Sequence, residues 1–122
     1  MPSNQFHRVE KLVGECEDWT EVTVFGTNWS NYTATSAYNT AGFYKDPFNV
    51  VTLKGLVTHT AGGSGTTIFT LPEGYRPAKS LIFKGEANSG HSRTDVNADG
   101  SVVLQVGSAT SYLSLEGISF RV

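Results

Sequence analysis

The chain has 122 residues and a mass of 13.2 kDa, a size typical of one domain that buries its own core. Only 16% of the residues are charged and the formal net charge is −2, which excludes a strongly basic surface for nucleic acid. No apolar run approaches the roughly 18 residues that span a bilayer, and the single cysteine, Cys16, excludes an intrachain disulfide. The N-terminal residues also lack the apolar core of a secretory signal, so we expect a chain made in the cytoplasm, without a signal peptide or membrane insertion.

The N-terminal segment differs from the rest of the chain, because it carries more charge and an apolar repeat. Apolar side chains recur there at spacings of three or four residues, at Phe6, Val9, Val13 and Cys16. This pattern predicts a short helical neck that joins several chains, with Val9 and Val13 as subunit contacts. The alternative is an extended linker, since the pattern covers fewer than two heptads and includes Gly14. We therefore divide the chain into a neck, residues 1–18, and a head domain, residues 19–122.

From Trp19 onward, apolar and polar residues alternate with a period of two, which is typical of β-strands. The predicted strands are Glu21–Phe25, Gly42–Lys45, Asn49–Thr60, Thr66–Thr70, Lys79–Ala87, Ser92–Asn97, Ser101–Val106 and Ser111–Val122. Short strands at spacings of about ten residues predict an all-β fold, an antiparallel β-sandwich or jelly roll. No helix is expected beyond the neck.

Glycine and proline mark the predicted turns between these strands. Asp99-Gly100 is the strongest short-range signal for a hairpin. The glycine tract 61–65 predicts a flexible hairpin loop, and residues 66–77 predict a strand that ends in a rigid proline corner. In the last strand the apolar residues change parity at Glu116-Gly117, so we predict a β-bulge there.

The sequence shows no recognisable catalytic or metal-binding motif. The three histidines, His7, His59 and His91, are widely separated, and no nucleophile elbow or phosphate-binding loop is present. His59 has the parity of a strand-end residue with a backbone hydrogen bond. We therefore expect no enzyme activity, no cofactor and no metal site.

Two groups of residues are candidates for binding a ligand. One group alternates along a single strand and therefore shares one face: His91, Arg93, Asp95 and Asn97. This face is either a solvated outer surface, a hydrogen-bonding row against a neighbouring subunit, or a shallow site for sugar hydroxyls. The second group is aromatic and lies in or near the long loop after the first strand: Trp29, Tyr32, Tyr38 and Tyr44. These rings supply either a platform for a sugar or packing in the core and at interfaces.

Several motifs between Trp19 and Val122 occur together and in a fixed order. They are Gly42-Phe43-Tyr44-Lys45-Asp46, residues 51–57 (VTLKGLV), residues 68–77 (IFTLPEGYRP), Arg93-Thr94-Asp95-Val96 with Asp99-Gly100, and residues 112–121 (YLSLEGISFR). In these motifs the chain resembles the C-terminal head or tip domains of tail-fibre and minor structural proteins from tailed bacteriophages and prophages. Residues 1–18 lie outside the resemblance, and the loop of residues 28–41 does not align with it.

The resemblance implies a component of the virion tail, a homotrimer of β-sandwich subunits in contact with other tail proteins. The implied role is adsorption to the host by non-catalytic binding of a bacterial surface saccharide or protein. It also implies that the shared motifs, including Tyr75 and Arg76, form the scaffold and the subunit contacts, whereas receptor specificity lies in loops. Candidate receptor contacts are then Trp29, Tyr32, Tyr38, His91, Arg93 and Asp95.

Two alternatives to receptor binding are open at this point. One is a structural trimerisation or capping module of a virion fibre, which makes no direct contact with the receptor. The other is a fragment of a depolymerase, which requires an acidic pair in a groove.

Overall fold

A computed structural model describes residues 17–122, so the predicted neck contacts Val9 and Val13 lie outside the described residues. In the described part every regular element is a β-strand, and no helix occurs there. The strands are β1 (Thr20–Glu21), β2 (Trp29–Asn31), β3 (Gly42–Lys45), β4 (Val50–Lys54), β5 (Leu56–His59), β6 (Thr66–Thr70), β7 (Leu81–Ala87), β8 (Gly90–Val96), β9 (Ser101–Val106), β10 (Leu113–Ser114) and β11 (Ser119–Arg121). The predicted strand 21–25 is shorter than expected, because only Thr20 and Glu21 pair with β3.

The strands form two antiparallel sheets that share one apolar core. One sheet has four strands in the order β1-β3-β4-β11, and the other has seven in the order β2-β5-β10-β7-β8-β9-β6. Aromatic contacts join the sheets: the rings of Phe43 and Phe69 stack with centroids 6.3 Å apart, and Phe83 lies 6.3 Å from Phe120. The predicted all-β, antiparallel sandwich class is confirmed.

The seven-stranded sheet curls until its two end strands meet. Trp29 Nε1 on β2 donates a hydrogen bond to Thr66 Oγ1 on β6 over 2.9 Å. Beside this bond, the amide of Gly26 donates to the carbonyl of Ile68 over 2.7 Å. The sheet is therefore a nearly closed barrel, and closure of this kind protects the end strands from pairing with other chains.

The period-two pattern explains why each strand buries one face. On β9 the side chains of Val102 and Leu104 are fully buried, and on β8 the same is true of Val96. Ser92 and Thr94 share the buried face of β8, as the alternation predicts. Burial of each Val or Leu side chain contributes about 1.5–3 kcal/mol to the free energy of folding.

The predicted strand 49–60 is divided at Gly55, which corrects the sequence prediction. The segment before Gly55 is β4 of the four-stranded sheet, and the segment after it is β5 of the seven-stranded sheet. Gly55 makes this crossing with a φ of +113°, and an added Cβ would lie 2.5 Å from the Cα of Ala41. Glycine is required here both for the backbone conformation and for the close approach.

The predicted last strand, residues 111–122, is divided in the same way into β10 of the seven-stranded sheet and β11 of the four-stranded sheet. Between them the amide of Ile118 donates to the carbonyl of Leu115 over 3.4 Å, and Gly117 has a φ of +88°. The irregularity at Glu116-Gly117 is therefore a turn that changes sheets, and the prediction of a β-bulge is wrong. Apolar residues of both parities are nonetheless buried, namely Leu113, Leu115, Ile118 and Phe120.

The two crossings lie side by side. The amide of Leu53 donates to the carbonyl of Ile118 over 2.9 Å, and the amide of Leu115 donates to the carbonyl of Gly55 over 2.8 Å. The chain thus changes sheets twice at one seam.

Two of the predicted turns are confirmed and one is not. In the hairpin between β8 and β9 the amide of Gly100 donates to the carbonyl of Asn97 over 2.9 Å. In the proline corner the amide of Tyr75 donates to the carbonyl of Pro72 over 3.2 Å. The glycine tract 61–65 joins β5 to β6, which are not neighbours in the sheet. It therefore connects two strands that lie on either side of β2 in the nearly closed barrel, and it is not a hairpin loop.

Candidate binding groove

A groove lies where the loop of residues 32–40 meets strands β5 and β10. It consists of two adjoining cavities with volumes of about 340 and 270 Å³. The larger cavity is lined by Ala37, Tyr38, Asn39, Gly55, Leu56, Ser114 and Glu116. The smaller cavity is lined by Tyr32, Tyr38, Leu56 and Tyr112. Both cavities share Tyr38 and Leu56, so we treat them as one groove. We call it the tyrosine groove after Tyr32, Tyr38 and Tyr112.

The sheet register explains how residues distant in sequence meet in the tyrosine groove. The amide of Tyr32 donates to the carbonyl of Leu56 over 2.9 Å, which extends the pairing of β2 with β5. Leu56 is in turn paired with Ser114 of β10. Because the neighbouring Val57 and Leu113 are fully buried, the pleat of the strands turns Leu56 and Ser114 to the outer face.

Three tyrosine side chains give the groove aromatic surfaces. The rings of Tyr32 and Tyr38 pack edge to face, with centroids 5.8 Å apart and an interplanar angle of 77°. Tyr38 remains 56% exposed, while Tyr32 and Tyr112 are half-buried. Partly exposed aromatic faces of this kind bind the apolar face of a ligand or a cation.

Glu116 supplies a carboxylate to the groove and also holds the sheet crossings together. Its Oε2 accepts hydrogen bonds from the amide of Gly55 over 2.8 Å and from Asn39 Nδ2 over 3.1 Å. Its Oε1 has no hydrogen-bond partner within residues 17–122. One carboxylate oxygen is therefore fixed by the fold, and the other is left as an acceptor for a ligand.

The base of the loop 32–40 is anchored by the strands beneath it. The amide of Leu56 donates to the carbonyl of Asn39 over 3.0 Å, and Lys54 Nζ donates to the carbonyl of Thr40 over 3.0 Å. A groove whose wall is already held in place loses less conformational entropy when it binds a ligand.

The positive charge of Lys54 is neutralised within the protein. Its Nζ lies 2.9 Å from Glu21 Oε2, and the ring of Trp19 lies 5.5 Å away. The hydrogen bond from Lys54, together with one from the Thr40 hydroxyl, lowers the pKa of Glu21. Lys54 therefore serves to anchor the loop and does not give the groove an uncompensated positive charge.

Metal-ligand clusters and membrane-spanning helices are both missing from the part of the chain that the structure describes. No group of three or more His, Cys, Asp or Glu side chains there is arranged to hold a metal ion. Residues 17–122 also contain no helix that is long and apolar enough to cross a membrane.

No family model, curated protein or solved structure matches this chain. The function of the tyrosine groove must therefore be inferred from its residues.

Trp29, one of the predicted receptor contacts, does not line the groove. Its side chain is only 4% exposed and packs against His59, with ring centroids 5.0 Å apart. Gly63 lies against both rings, so closely that an added Cβ would be 2.4 Å from Trp29. His59 Nδ1 accepts a hydrogen bond from the amide of Ala61 over 3.0 Å, as predicted for a strand-end histidine. Trp29 is therefore a core residue whose bond to Thr66 closes the barrel.

Two other predicted receptor contacts, Tyr32 and Tyr38, do line the groove. The polar face of β8 lies elsewhere. There Arg93 Nε and Nη2 donate to the two carboxylate oxygens of Asp95 over 2.9 and 3.0 Å, which raises the pKa of Arg93. Asp95 is buried and both of its carboxylate oxygens accept from Arg93, so its contact with a receptor stays a prediction.

His91 is exposed and shares the outer face of the seven-stranded sheet with the groove. It is paired with Glu86 of β7, which neighbours β10 in the sheet. Since Leu113 of β10 is paired with Ala87, Ser114 lies next to Glu86 in the same row. His91 is thus two strands away from Ser114 and is a candidate contact only for a ligand that extends beyond the groove.

Tyr75 and Arg76, the predicted subunit contacts, are engaged within the chain. The Tyr75 hydroxyl lies 2.8 and 2.9 Å from the carboxylate oxygens of Glu17, and this hydrogen bond raises the pKa of Tyr75. Arg76 Nε donates to the carbonyl of Leu71 over 2.8 Å. Both residues are half-buried and neither lines the groove. Their contact with a second subunit stays a prediction.

Four polar or aromatic groove residues are missing from the sequence-based candidates: Asn39, Tyr112, Ser114 and Glu116. Asn39 belongs to the loop itself. Tyr112, Ser114 and Glu116 meet the loop only because β10 pairs with β5, and pairing between distant strands is not encoded in a local pattern. The one local signal in the sequence was the change of parity of the apolar residues at Glu116-Gly117. It marks where the chain passes from one sheet to the other, but it does not show that the Glu116 carboxylate lies in the groove.

Proposed function

We propose that this chain is a head domain of a bacteriophage tail fibre that binds a bacterial surface saccharide in the tyrosine groove. The observation that carries the proposal is the groove itself, an outward-facing site with three tyrosine rings, an amide, a hydroxyl and a carboxylate. Apolar surfaces with a few convergent polar groups are typical of small-ligand sites. The context of a tail fibre rests on the resemblance of the motifs between Trp19 and Val122 to those of such proteins.

We further propose that the groove binds its ligand without cutting it. Glycoside hydrolysis commonly uses two carboxyl groups about 5–9.5 Å apart, one on each side of the bond that is cleaved. The described residues that line the groove provide one carboxylate, Glu116. Binding alone is therefore the function that this lining supports best.

Adsorption of purified protein to host cells tests the proposal. We expect Tyr38→Ala to weaken binding about two- to tenfold, because an aromatic contact contributes about 0.5–1.5 kcal/mol. Phe48→Ala is the matched control, since Phe48 is 60% exposed, against 56% for Tyr38, and lies outside the groove. Fluorescence of labelled protein on a panel of bacterial strains, together with a glycan array, measures the binding. Equal losses in both variants, or attachment to none of the strains, would refute the proposal.

A structural trimerisation or capping module is the second candidate function. It is favoured by two exposed apolar side chains on the outer face of the barrel, Ile82 at 63% and Val106 at 56% exposure. They are the cross-strand partners of Asp95 and Arg93, so they flank this ion pair. A trimer in light scattering that Ile82→Asp dissociates, with host adsorption unaffected by Tyr38→Ala, would favour this module over receptor binding.

A further inference from the structure

We infer that the tyrosine groove selects a saccharide that carries a free, protonated amino group, an inference that rests on the proposed function. Its basis is the charge of the lining residues and the unequal use of the two oxygens of Glu116.

Among residues 17–122, the lining is anionic and has no cationic side chain. Glu116 is its carboxylate, and none of the described residues around either cavity is a lysine, arginine or histidine. The nearest ammonium in the loop anchor, that of Lys54, is paired with Glu21. A uronic or sialic acid would therefore place a second negative charge beside Glu116 with no cation to compensate it, whereas an ammonium would complement the charge.

The geometry of Glu116 gives an ammonium a defined partner. Oε2 is held by the amide of Gly55 and by Asn39 Nδ2, which fixes the carboxylate without neutralising it. Oε1 has no partner within residues 17–122 and is the acceptor for a charge-assisted hydrogen bond.

The tyrosine rings favour the same class of ligand. Tyr38 lines both cavities and packs edge to face with Tyr32, while Tyr112 completes the smaller cavity. Aromatic rings attract a cation over their faces, so the three tyrosines favour a cationic ligand. The ammonium thus interacts with Glu116 and the tyrosines, while the sugar ring packs on the remaining aromatic surface.

Titration of the full chain with three methyl glycosides tests the inference. The probes are methyl glucosaminide, methyl glucoside and methyl glucuronide, followed by NMR at about pH 6, where an amino group is protonated. We expect the glucosaminide to bind about tenfold more tightly than the glucoside, and the glucuronide to bind most weakly.

Two variants identify the group that causes the preference. Glu116→Gln keeps an oxygen for the amide of Gly55 but removes the charge, so the glucosaminide should fall to within about twofold of the glucoside. Glu73→Gln, which removes an exposed carboxylate in the proline corner, should keep the preference. Circular dichroism of each variant confirms that it is folded before the titration.

The outcomes separate this inference from the proposed function. Equal binding of the three glycosides, a preference for the glucuronide, retention of the preference in Glu116→Gln, or no binding of any probe would each overturn the inference. Host adsorption that depends on Tyr38 would stand in all of these cases. Failure of adsorption in an otherwise folded protein that prefers the glucosaminide would instead refute the role in host binding.

Discussion

Gly55 is the residue on which the link between the two sheets depends. Its φ of +113° is unfavourable for any residue with a side chain, and an added Cβ would lie 2.5 Å from Ala41 Cα and 2.6 Å from Ala41 N. Its amide also donates to Glu116, so a shift of this residue deforms the wall of the groove. Position 55 therefore requires glycine for two separate reasons, the positive φ and the close contact with Ala41.

Substitution of Gly55 and Gly90 separates the cost of the positive φ from the cost of the close contact. We expect Gly55→Ala to lower the free energy of unfolding by about 3–5 kcal/mol, because backbone strain and overlap with Ala41 act together. Gly90→Ala is the matched control, since Gly90 has a φ of +104° but its Cβ would meet nothing within 4 Å. The control should cost about 1–3 kcal/mol from strain alone. Urea denaturation measures both values, and equal costs would show that the contact with Ala41 carries no penalty.

The Glu21–Lys54 pair makes the stability depend on pH. The pKa of Glu21 is lowered in the folded protein, chiefly by the hydrogen bond with Lys54. A carboxylate with a lowered pKa stabilises the fold above its unfolded pKa and loses this contribution as the pH falls through its folded pKa. We expect Glu21→Gln to lower the free energy of unfolding by about 0.2–1 kcal/mol at about pH 7, and by progressively less below about pH 4.

Denaturation at a series of pH values measures this dependence. Glu86→Gln is the control, because Glu86 is exposed and makes no salt bridge within residues 17–122. The free energy of unfolding of the control, plotted against pH, should run parallel to that of the wild type. The free energy of unfolding of Glu21→Gln should approach the wild-type value as the pH falls. A constant difference between Glu21→Gln and the wild type across the series would contradict the assignment.

At the scale of elements, closure of the barrel depends on the bond between β2 and β6. Thr66 Oγ1 accepts from Trp29 Nε1 over 2.9 Å and donates to the carbonyl of Gly63 over 2.6 Å. Trp29 is buried, so the loss of its acceptor leaves an indole N–H without a partner. An unsatisfied buried donor costs about 1–3 kcal/mol.

We therefore expect Thr66→Val to lower the free energy of unfolding by about 1–3 kcal/mol and to speed amide exchange along β2 and β6. Thr70→Val on the same strand is the control, since Thr70 is exposed and its hydroxyl makes no hydrogen bond within the described chain. Its effect should stay within about 0.5 kcal/mol. If the two variants were equally stable, closure would rest on packing and not on this bond.

The elements that the sequence predicts well are those that depend on local physics. Period-two alternation predicts the strands around Thr66–Thr70 and Ser101–Val106, and Asp99-Gly100 predicts the hairpin between β8 and β9. Proline and glycine likewise predict the corner at Pro72–Tyr75, because their backbone preferences act over a few residues. The division at Gly55 was not predicted, since one continuous alternation serves two sheets that face the same core. At Gly117 the change of parity was visible in the sequence, but it marks a change of sheet and not a β-bulge.

At the scale of the whole molecule, the candidate site was only half predictable. The aromatic loop indicated Tyr32 and Tyr38, but the same reasoning included Trp29, whose ring the fold buries. The contributions of Tyr112 and Glu116 follow from the neighbourhood of β5 and β10, which only the complete sheet order reveals. Sequence alone can supply the chemical groups of such a site, whereas distant strand pairing decides which of them meet.

The tyrosine groove stands on the seam where the chain changes sheets twice, and this position explains its rigidity. Backbone hydrogen bonds between Leu53 and Ile118 and between Leu115 and Gly55 hold the two crossings together. Glu116 adds a side-chain bond across the same seam. Sites supported by regular elements keep their geometry better than sites formed by loops alone. The carboxylate of Glu116 is thus held from two sides, by the backbone of Gly55 at the seam and by Asn39 of the loop 32–40.

The last two strands of the described chain, β10 and β11, enter different sheets, and β10 lies between β5 and β7. A nascent chain on the ribosome therefore exposes β5 and β7 without their common neighbour until residues 113–121 have left the exit tunnel. Neither sheet can be completed before that moment, so the head domain folds only after these residues are synthesised. Pairing between strands so far apart in sequence is intrinsically slow, and open strand edges favour aggregation during the delay.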